Sequence, residues 1–196
     1  GEEGGSTGGS SRVRWVVDPI DGTVNYLYGI PSYAVSIAAE VDGDIAVGVV
    51  HNPVSGETWT AVAGEGAWLD DRSVTVGSRT EPGHALVGTG FAYDVPRRTR
   101  QARSVAALLP QVRDIRRLGS AAMDLCGVGT GRLDAYVEQG LMPWDLAAGG
   151  LVAREAGARV GGLRGAAAGE QLVVAANPAL WDNLHDLLVE AGFGAA

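Results

Sequence analysis

Two aspartates that follow a predicted strand constrain this chain more than any other feature. The apolar run at residues 13–17 predicts a short buried strand, and Pro19, which cannot donate to a strand ladder, is expected to end it. Asp18 and Asp21 stand three residues apart, and a Gly-Thr pair follows them. Acidic oxygens at this spacing suit hard divalent cations, and backbone N–H groups beside a hydroxyl suit a phosphate. The stretch therefore indicates metal-assisted phosphoryl chemistry, although Asp-Pro and Asp-Gly are also ordinary turn formers.

The composition limits the class of protein. With 196 residues, 46% of them hydrophobic, the chain can build one compact domain or two small lobes that share a core. The net charge of −8 argues against direct binding of nucleic acid, which needs a basic face. A single cysteine, Cys126, excludes an internal disulfide and fits a reducing, cytoplasmic compartment. The sequence shows neither an apolar run of transmembrane length nor a signal peptide, so no membrane association is expected.

The pattern of the chain changes near its middle. Short strand patterns at hairpin spacing predict an antiparallel meander over about residues 12–80. Strand and helix patterns then alternate over about residues 85–196, with helices expected at 97–109, 120–128, 145–155 and after Pro178. This pattern predicts an α+β fold in which residues 1–196 form a single domain of two lobes.

The helix predicted at 97–109 carries four arginines on its polar side, at positions 97, 98, 100 and 103. We interpret these arginines as a solvated helix face, and a phosphate site is the alternative.

Three motifs in a fixed order resemble a known family. They are Gly1-Glu2-Glu3-Gly4, the stretch from Asp18 to Thr23, and Pro143-Trp144-Asp145-Leu146-Ala147-Ala148-Gly149. Together with Thr23-Val24-Asn25-Tyr26, they resemble the inositol monophosphatase family of magnesium-dependent, lithium-sensitive phosphatases, over nearly the whole chain. The resemblance implies a layered α/β/α/β sandwich. Members of that family carry an N-terminal helical segment before the Gly-Glu-Glu turn. We therefore expect that layer to be missing here and the chain to be a fragment, a processed form or part of a longer product.

The resemblance also implies a metal centre. Glu2, Asp18 and the carbonyl of Ile20 would hold a first Mg²⁺, and Asp18, Asp21 and Asp145 a second, with a third, weaker metal near Glu2. Catalysis would rest on Glu2, Asp21 and Thr23, since the Thr23 hydroxyl would orient the attacking water with help from Glu2. Asp145 alternatively caps the N-terminus of a helix, and both roles are compatible.

Further residues are assigned to substrate binding by the same resemblance. Backbone N–H groups of Gly22 and Thr23 would bind the phosphate, and Glu138 would accept hydrogen bonds from inositol hydroxyls. A loop and the start of the helix after it would contact the sugar ring, through Gly119, Ser120 and Ala121. Asp145 is assigned to the substrate site as well. The structural alternatives are an N-cap for Ser120 and a solvent-exposed strand end for Glu138.

The expected function is Mg²⁺-dependent hydrolysis of myo-inositol monophosphate, a small phosphorylated polyol, by a metal-activated water. Related phosphatases that act on sugar phosphates, histidinol phosphate or a nucleotide 3′-phosphate are alternatives, and so is a non-catalytic member that binds a partner protein. The resemblance further implies inhibition by Li⁺ and a homodimer.

Overall fold

The computed structural model describes residues 11–194 and divides into two sheets and the helices that cover them. Sheet A is an antiparallel meander in which strands adjacent in sequence are adjacent in space. Its strands are β1 (Val13–Asp21), β2 (Ala34–Val41), β3 (Asp44–His51), β4 (Thr58–Val62), β5 (Gly66–Leu69) and β6 (Arg72–Ser73). A short helix, α1 (Thr23–Leu27), follows β1. The predicted antiparallel first half is confirmed.

The prediction that Pro19 ends the first strand was wrong, because β1 continues to Asp21. Asp18 pairs with Ser36 and Asp21 with Ala34, so two residues of β1 oppose a single residue of β2 between these pairs. Pro19 lies in this bulge, where the ladder does not require its missing N–H. In a regular strand, residues three apart point to opposite faces. The extra residue restores the alternation, which allows both aspartates to point inward.

Sheet B forms the second half and is mixed. Its strands are β7 (Leu86–Thr89), β8 (Asp114–Arg116), β9 (Ala135–Glu138), β10 (Arg159–Gly161) and β11 (Val173–Ala176). The spatial order is β10-β11-β9-β7-β8, where β7 runs parallel to β8 and β9 and the other pairs are antiparallel. Strand β10 was not predicted, since its three residues are too few to show a hydrophobic period.

Four longer helices complete the layers: α2 (Val95–Leu108), α3 (Ala121–Gly129), α4 (Pro143–Glu155) and α5 (Pro178–Glu190). Helices α3 and α4 lie between the sheets, since α4 packs on sheet A through Ala148 and Leu151 while α3 packs on sheet B through Leu125. Helices α2 and α5 cover the other face of sheet B. The order sheet, helices, sheet, helices confirms the expected layered sandwich. Within residues 11–194, no helix precedes β1, and none is long and apolar enough to cross a membrane.

Close backbone approaches fix the position of α4 between its neighbours. A Cβ atom at Gly48 would lie 3.0 Å from the Cα of Ala148, and one at Gly149 would lie 2.7 Å from the carbonyl oxygen of Ala122. Such distances leave no room for a side chain, so glycine at both positions lets α4 approach β3 and α3. This packing holds the first turn of α4 beside the end of β1.

Candidate active site

Three carboxylates meet where β1 ends and α4 begins. Asp18, Asp21 and Asp145 each offer an oxygen atom, and these atoms all lie within 4.8 Å of one another. Backbone groups orient two of the side chains: Ile20 N–H donates to Asp18 Oδ1 at 3.0 Å, and Met142 N–H donates to Asp145 Oδ2 at 2.7 Å. The three aspartates predicted from two distant motifs therefore form one cluster.

Helix α4 begins two residues earlier than predicted. Pro143 is its first residue and Met142 its N-cap, so Asp145 is the third helical residue rather than the cap. The Asp145 carboxylate reaches back to the N–H of Met142, which is the contact that an acidic third residue makes in a capping box. One oxygen therefore stabilises the helix end and leaves the other available to a ligand.

Asp21 is held from a different part of the chain. Its Oδ2 atom accepts hydrogen bonds from Ser120 Oγ at 2.6 Å and from the N–H of Ala122 at 2.7 Å. Ser120 is also the N-cap of α3, because its hydroxyl accepts from Met123 N–H at 3.3 Å. The N-cap interpretation of Ser120 is confirmed, and the same hydroxyl orients Asp21.

The charge of the cluster favours a cation. The pKa of Asp145 is raised to about 7, mainly by burial. The hydrogen bond from Met142 N–H lowers this pKa, and the negative charges of Asp21 and Asp18 raise it. These carboxylates repel one another when ionised, and a nearby positive charge would stabilise their ionised forms. Since every donor atom is a hard oxygen, the set fits Mg²⁺ or a similar divalent ion.

A glycine turn connects the cluster to α1. Gly22 has φ 96°, and a Cβ atom there would lie 3.1 Å from Ser32 O and 3.2 Å from Gly119 O. Both the backbone angle and the available space therefore require glycine. Thr23 Oγ1 donates to the carbonyl oxygen of Ile20 at 3.1 Å, which ties the hydroxyl to the predicted metal-binding carbonyl.

A cavity of about 310 Å³ opens over the three carboxylates. Its walls contain every predicted site residue in the described part of the chain, namely Asp18, Ile20, Asp21, Gly22, Thr23, Gly119, Ser120, Ala121, Glu138 and Asp145. The remaining one, Glu2, lies outside the described residues. Residues from both halves of the chain thus surround one space.

Glu138 occupies the wall of this cavity and is not a solvent-exposed strand end. It is only partly exposed at the end of β9, and its carboxylate accepts a hydrogen bond from the buried Tyr136 hydroxyl. Burial raises the pKa of Glu138, and the bond from Tyr136 opposes that shift. A Cβ atom at Gly90 would lie 2.0 Å from the Glu138 carboxylate, so this side chain can hold its position only with glycine at residue 90. Sequence analysis missed the role of Gly90, because nothing local distinguishes it from other loop glycines.

Asp124 was also missed. It lies on α3, lines the cavity, and is 1% exposed. Within residues 11–194, no group donates a hydrogen bond to its Oδ1 atom. Burial raises its pKa to about 8, with further contributions from the charges of Glu138 and Asp21. An acidic residue inside the otherwise apolar stretch from Ala121 to Val128 was the available signal.

Known proteins resemble this chain over most of its length. The model of the inositol monophosphatase family matches residues 1–192. The chain belongs to the inositol monophosphatase family. It is 48% identical over 195 residues to an inositol-1-monophosphatase of Mycobacterium leprae, covering 94% of this chain and 67% of that protein. It is also 42% identical over 203 residues to the Nus factor SuhB of Xylella fastidiosa, covering 99% of this chain and 74% of that protein.

Solved structures of the inositol monophosphatase family share the fold. Mycobacterium tuberculosis SuhB matches with a TM-score of 0.86 at 47% identity, covering 94% of this chain and 75% of that one. An inositol monophosphatase from Anabaena matches with a TM-score of 0.88 at 34% identity, covering 96% and 77%. The predicted family and fold are confirmed. Membership supports a phosphatase with a phosphorylated substrate, and the aspartate cluster fits a metal-dependent site.

Proposed function

We propose that this inositol monophosphatase family member hydrolyses myo-inositol monophosphate with Mg²⁺. The observation that carries the proposal is that the cluster of Asp18, Asp21 and Asp145 and the Glu138 side chain line the same cavity. The first three suit divalent cations, which would in turn attract a phosphate, and the fourth suits a hydroxylated ring. Other sugar phosphates, histidinol phosphate and nucleotide 3′-phosphates are the alternative substrates.

The carboxylates take the metal-binding roles in this proposal. Asp18, Asp21 and Asp145 would hold two Mg²⁺ ions, with the Ile20 carbonyl and Glu2 as further ligands and a third ion near Glu2. Bound divalent cations would supply positive charge to the phosphate and make water a better nucleophile. Ser120 and Met142 keep the aspartate side chains oriented through the bonds described above.

The turn after β1 handles the phosphate and the water. Backbone N–H groups of Gly22 and Thr23 would bind phosphate oxygens, as the exposed N–H groups of a tight turn do. Because the Thr23 hydroxyl donates its proton to Ile20 O, its oxygen is left to accept a hydrogen bond from water. The Thr23 hydroxyl and Glu2 would together orient the water for attack. Asp21 would contribute to catalysis as a ligand of the metal cluster.

Ring recognition would fall to Glu138. The Glu138 carboxylate accepts one bond from Tyr136 and has lone pairs left for ring hydroxyls. Because the Ser120 hydroxyl is engaged with Asp21, any contact from Gly119, Ser120 or Ala121 would come from the backbone. Asp145, which belongs to the cluster and lines the cavity, would contact the ester end of the substrate.

A substrate panel tests the proposal. Phosphate release with Mg²⁺ would be measured for inositol 1-phosphate, histidinol phosphate, fructose 1,6-bisphosphate, 3′-phosphoadenosine 5′-phosphate and glycerol 2-phosphate. We expect the highest kcat/KM for inositol 1-phosphate, loss of activity in Asp18→Asn, and inhibition by Li⁺. A higher kcat/KM for another ester would assign that ester instead.

A partner-binding protein is the second candidate, because a similar relative is named a Nus factor. The same panel separates the two functions, since a non-catalytic member would release no phosphate from any ester. Cytoplasmic location belongs to both proposals and can be checked by fractionation.

We also propose that the chain forms a homodimer. An apolar patch around α1 supports this, with Leu27 72% and Tyr28 80% exposed. The exposed Ile30 and Leu118 are joined to α1 through Asn25, because Ile30 N–H donates to Asn25 O and the Asn25 side chain donates to Leu118 O. Exposed contiguous apolar surface is typical of protein interfaces, and a twofold dimer is the commonest oligomer. Light scattering of the wild type and of Leu27→Asp would test it, with a dimer mass expected only for the wild type.

A further inference from the structure

A second cavity lies beside the active-site cavity. Its volume is about 440 Å³, and it lies between α2, the loop after β10 and the segment after α5. Arg97 and Gln139 line both cavities, so they form the boundary between them. Two further arginines, Arg100 and Arg164, line only the second cavity.

Arg97 is anchored at this boundary. Its Nη2 atom donates to the carbonyl oxygen of Glu170 at 3.2 Å. A Cβ atom at Gly140 would lie 3.2 Å from Nη1, so the guanidinium packs directly against the backbone that follows Glu138 and Gln139. The planar group is therefore held in place beside the backbone that carries Glu138.

The second cavity is positively charged in a chain of net charge −8. Among residues 11–194, no carboxylate lies within ion-pair distance of Arg97, Arg100 or Arg164. Asp94 lines the same cavity, but its Oδ1 atom accepts the Arg97 N–H at 2.8 Å as the N-cap of α2. The cavity therefore has three guanidinium groups and one carboxylate, which already accepts a hydrogen bond. The excess of positive charge and of N–H donors suits an anion.

We propose that this second cavity is an anion subsite of the active site. It would take the second phosphate of an inositol bisphosphate whose scissile phosphate is bound in the active-site cavity. The inference rests on the proposed phosphatase function and names a substrate class for it. Guanidinium forks match the oxygens of a phosphate, so Arg97, Arg100 and Arg164 would bind it with charge-assisted hydrogen bonds. In this arrangement Arg97 and Arg100 of α2 bind a ligand, whereas the sequence favoured a solvated helix face.

The test compares matched pairs of variants. Arg100→Gln/Arg164→Gln removes two charges from the subsite, and Arg98→Gln/Arg103→Gln removes two from exposed positions of α2 that do not line it. Activity with Mg²⁺ would be measured on inositol 1-phosphate and on the inositol bisphosphate isomers. We expect the ratio of kcat/KM for the preferred bisphosphate over the monophosphate to fall about tenfold in the first variant only.

A binding measurement keeps the subsite separate from the chemistry. In EDTA, calorimetry with inorganic phosphate should detect weak binding to the wild type and to Arg98→Gln/Arg103→Gln, and none to Arg100→Gln/Arg164→Gln. The subsite is overturned if neither the ratio nor phosphate binding changes, or if both double variants change equally. If no ester is hydrolysed by the wild type, the proposed function fails by itself, and phosphate binding in EDTA alone decides the subsite.

Discussion

Ser120 donates a hydrogen bond of 2.6 Å to Asp21, a residue 99 positions earlier in the chain. The bond joins the end of a strand in sheet A to the first turn of α3. Because Ser120 is nine-tenths or more buried and also caps α3, one hydroxyl stabilises a helix and orients a carboxylate of the candidate metal centre.

Replacing this hydroxyl should therefore affect both stability and metal binding. For Ser120→Ala we expect the free energy of unfolding to fall by about 1–2 kcal/mol, as for a lost N-cap. The Mg²⁺ affinity should also fall, because the Asp21 carboxylate loses a hydrogen bond that holds it in its orientation within the cluster. Asn177→Ala removes the N-cap of α5, where Asn177 Oδ1 accepts from Leu180 N–H at 3.0 Å, and serves as the control. Equal Mg²⁺ affinity in the two variants would contradict the role given to Ser120.

The metal centre is tested most directly at Asp18. Asp18→Asn removes a negative charge from the cluster but preserves the shape of the side chain, so calorimetry should show Mg²⁺ binding reduced at least about tenfold. Phosphatase activity should fall in parallel. Asp71→Asn is the control for the change in net charge, because Asp71 is exposed and lies between β5 and β6, at the edge of sheet A farthest from β1. Unchanged Mg²⁺ affinity in Asp18→Asn would remove Asp18 from the site.

Gly90 and Glu138 should share a phenotype. A Cβ atom at Gly90 would overlap the Glu138 carboxylate, whose flexible end can move away without unfolding the protein. Gly90→Ala and Glu138→Gln should both lower the kcat/KM ratio of inositol 1-phosphate over an alkyl phosphate, on the order of tenfold. Thermal stability should change little.

The control for this pair is Gly83→Ala, because nothing lies within 4 Å of the added Cβ atom there. It should keep the wild-type ratio. If Glu138→Gln slows both substrates equally, Glu138 belongs to the metal site or to the fold rather than to ring recognition.

Asp124 should make the metal-free protein less stable as the pH rises. Its pKa is about 8 in the folded chain and near 3.8 when unfolded, so between these values the folded state binds the extra proton. The contribution of Asp124 to stability is therefore fully present below about pH 4 and is lost as the pH rises toward 8, by an amount on the order of a few kcal/mol. Urea unfolding in EDTA at pH 5 and pH 8 should show a smaller loss for Asp124→Asn than for the wild type.

Asp71→Asn again provides the control, since it removes one acidic group at an exposed position. The same pH dependence in the wild type and in Asp124→Asn would show that Asp124 is ionised in the folded state.

The sequence by itself determined the local features of this protein. The spacing of Asp18 and Asp21, the hairpin turns of sheet A and the helix that starts near Asp145 follow from residues close together in the chain, where turn chemistry and hydrophobic period act. The three ordered motifs were enough to identify the family, and every predicted site residue in the described part lines one cavity.

Only the tertiary structure decided which of these features meet. The bulge at Pro19, which turns Asp18 and Asp21 to one face, depends on pairing with β2. The Ser120–Asp21 bond, the fit of Glu138 against Gly90 and the boundary at Arg97 each join residues that no local pattern connects. Such contacts arise from packing between sheets and helices, whose register is fixed by complementary shape across the core and not by the preferences of a single segment.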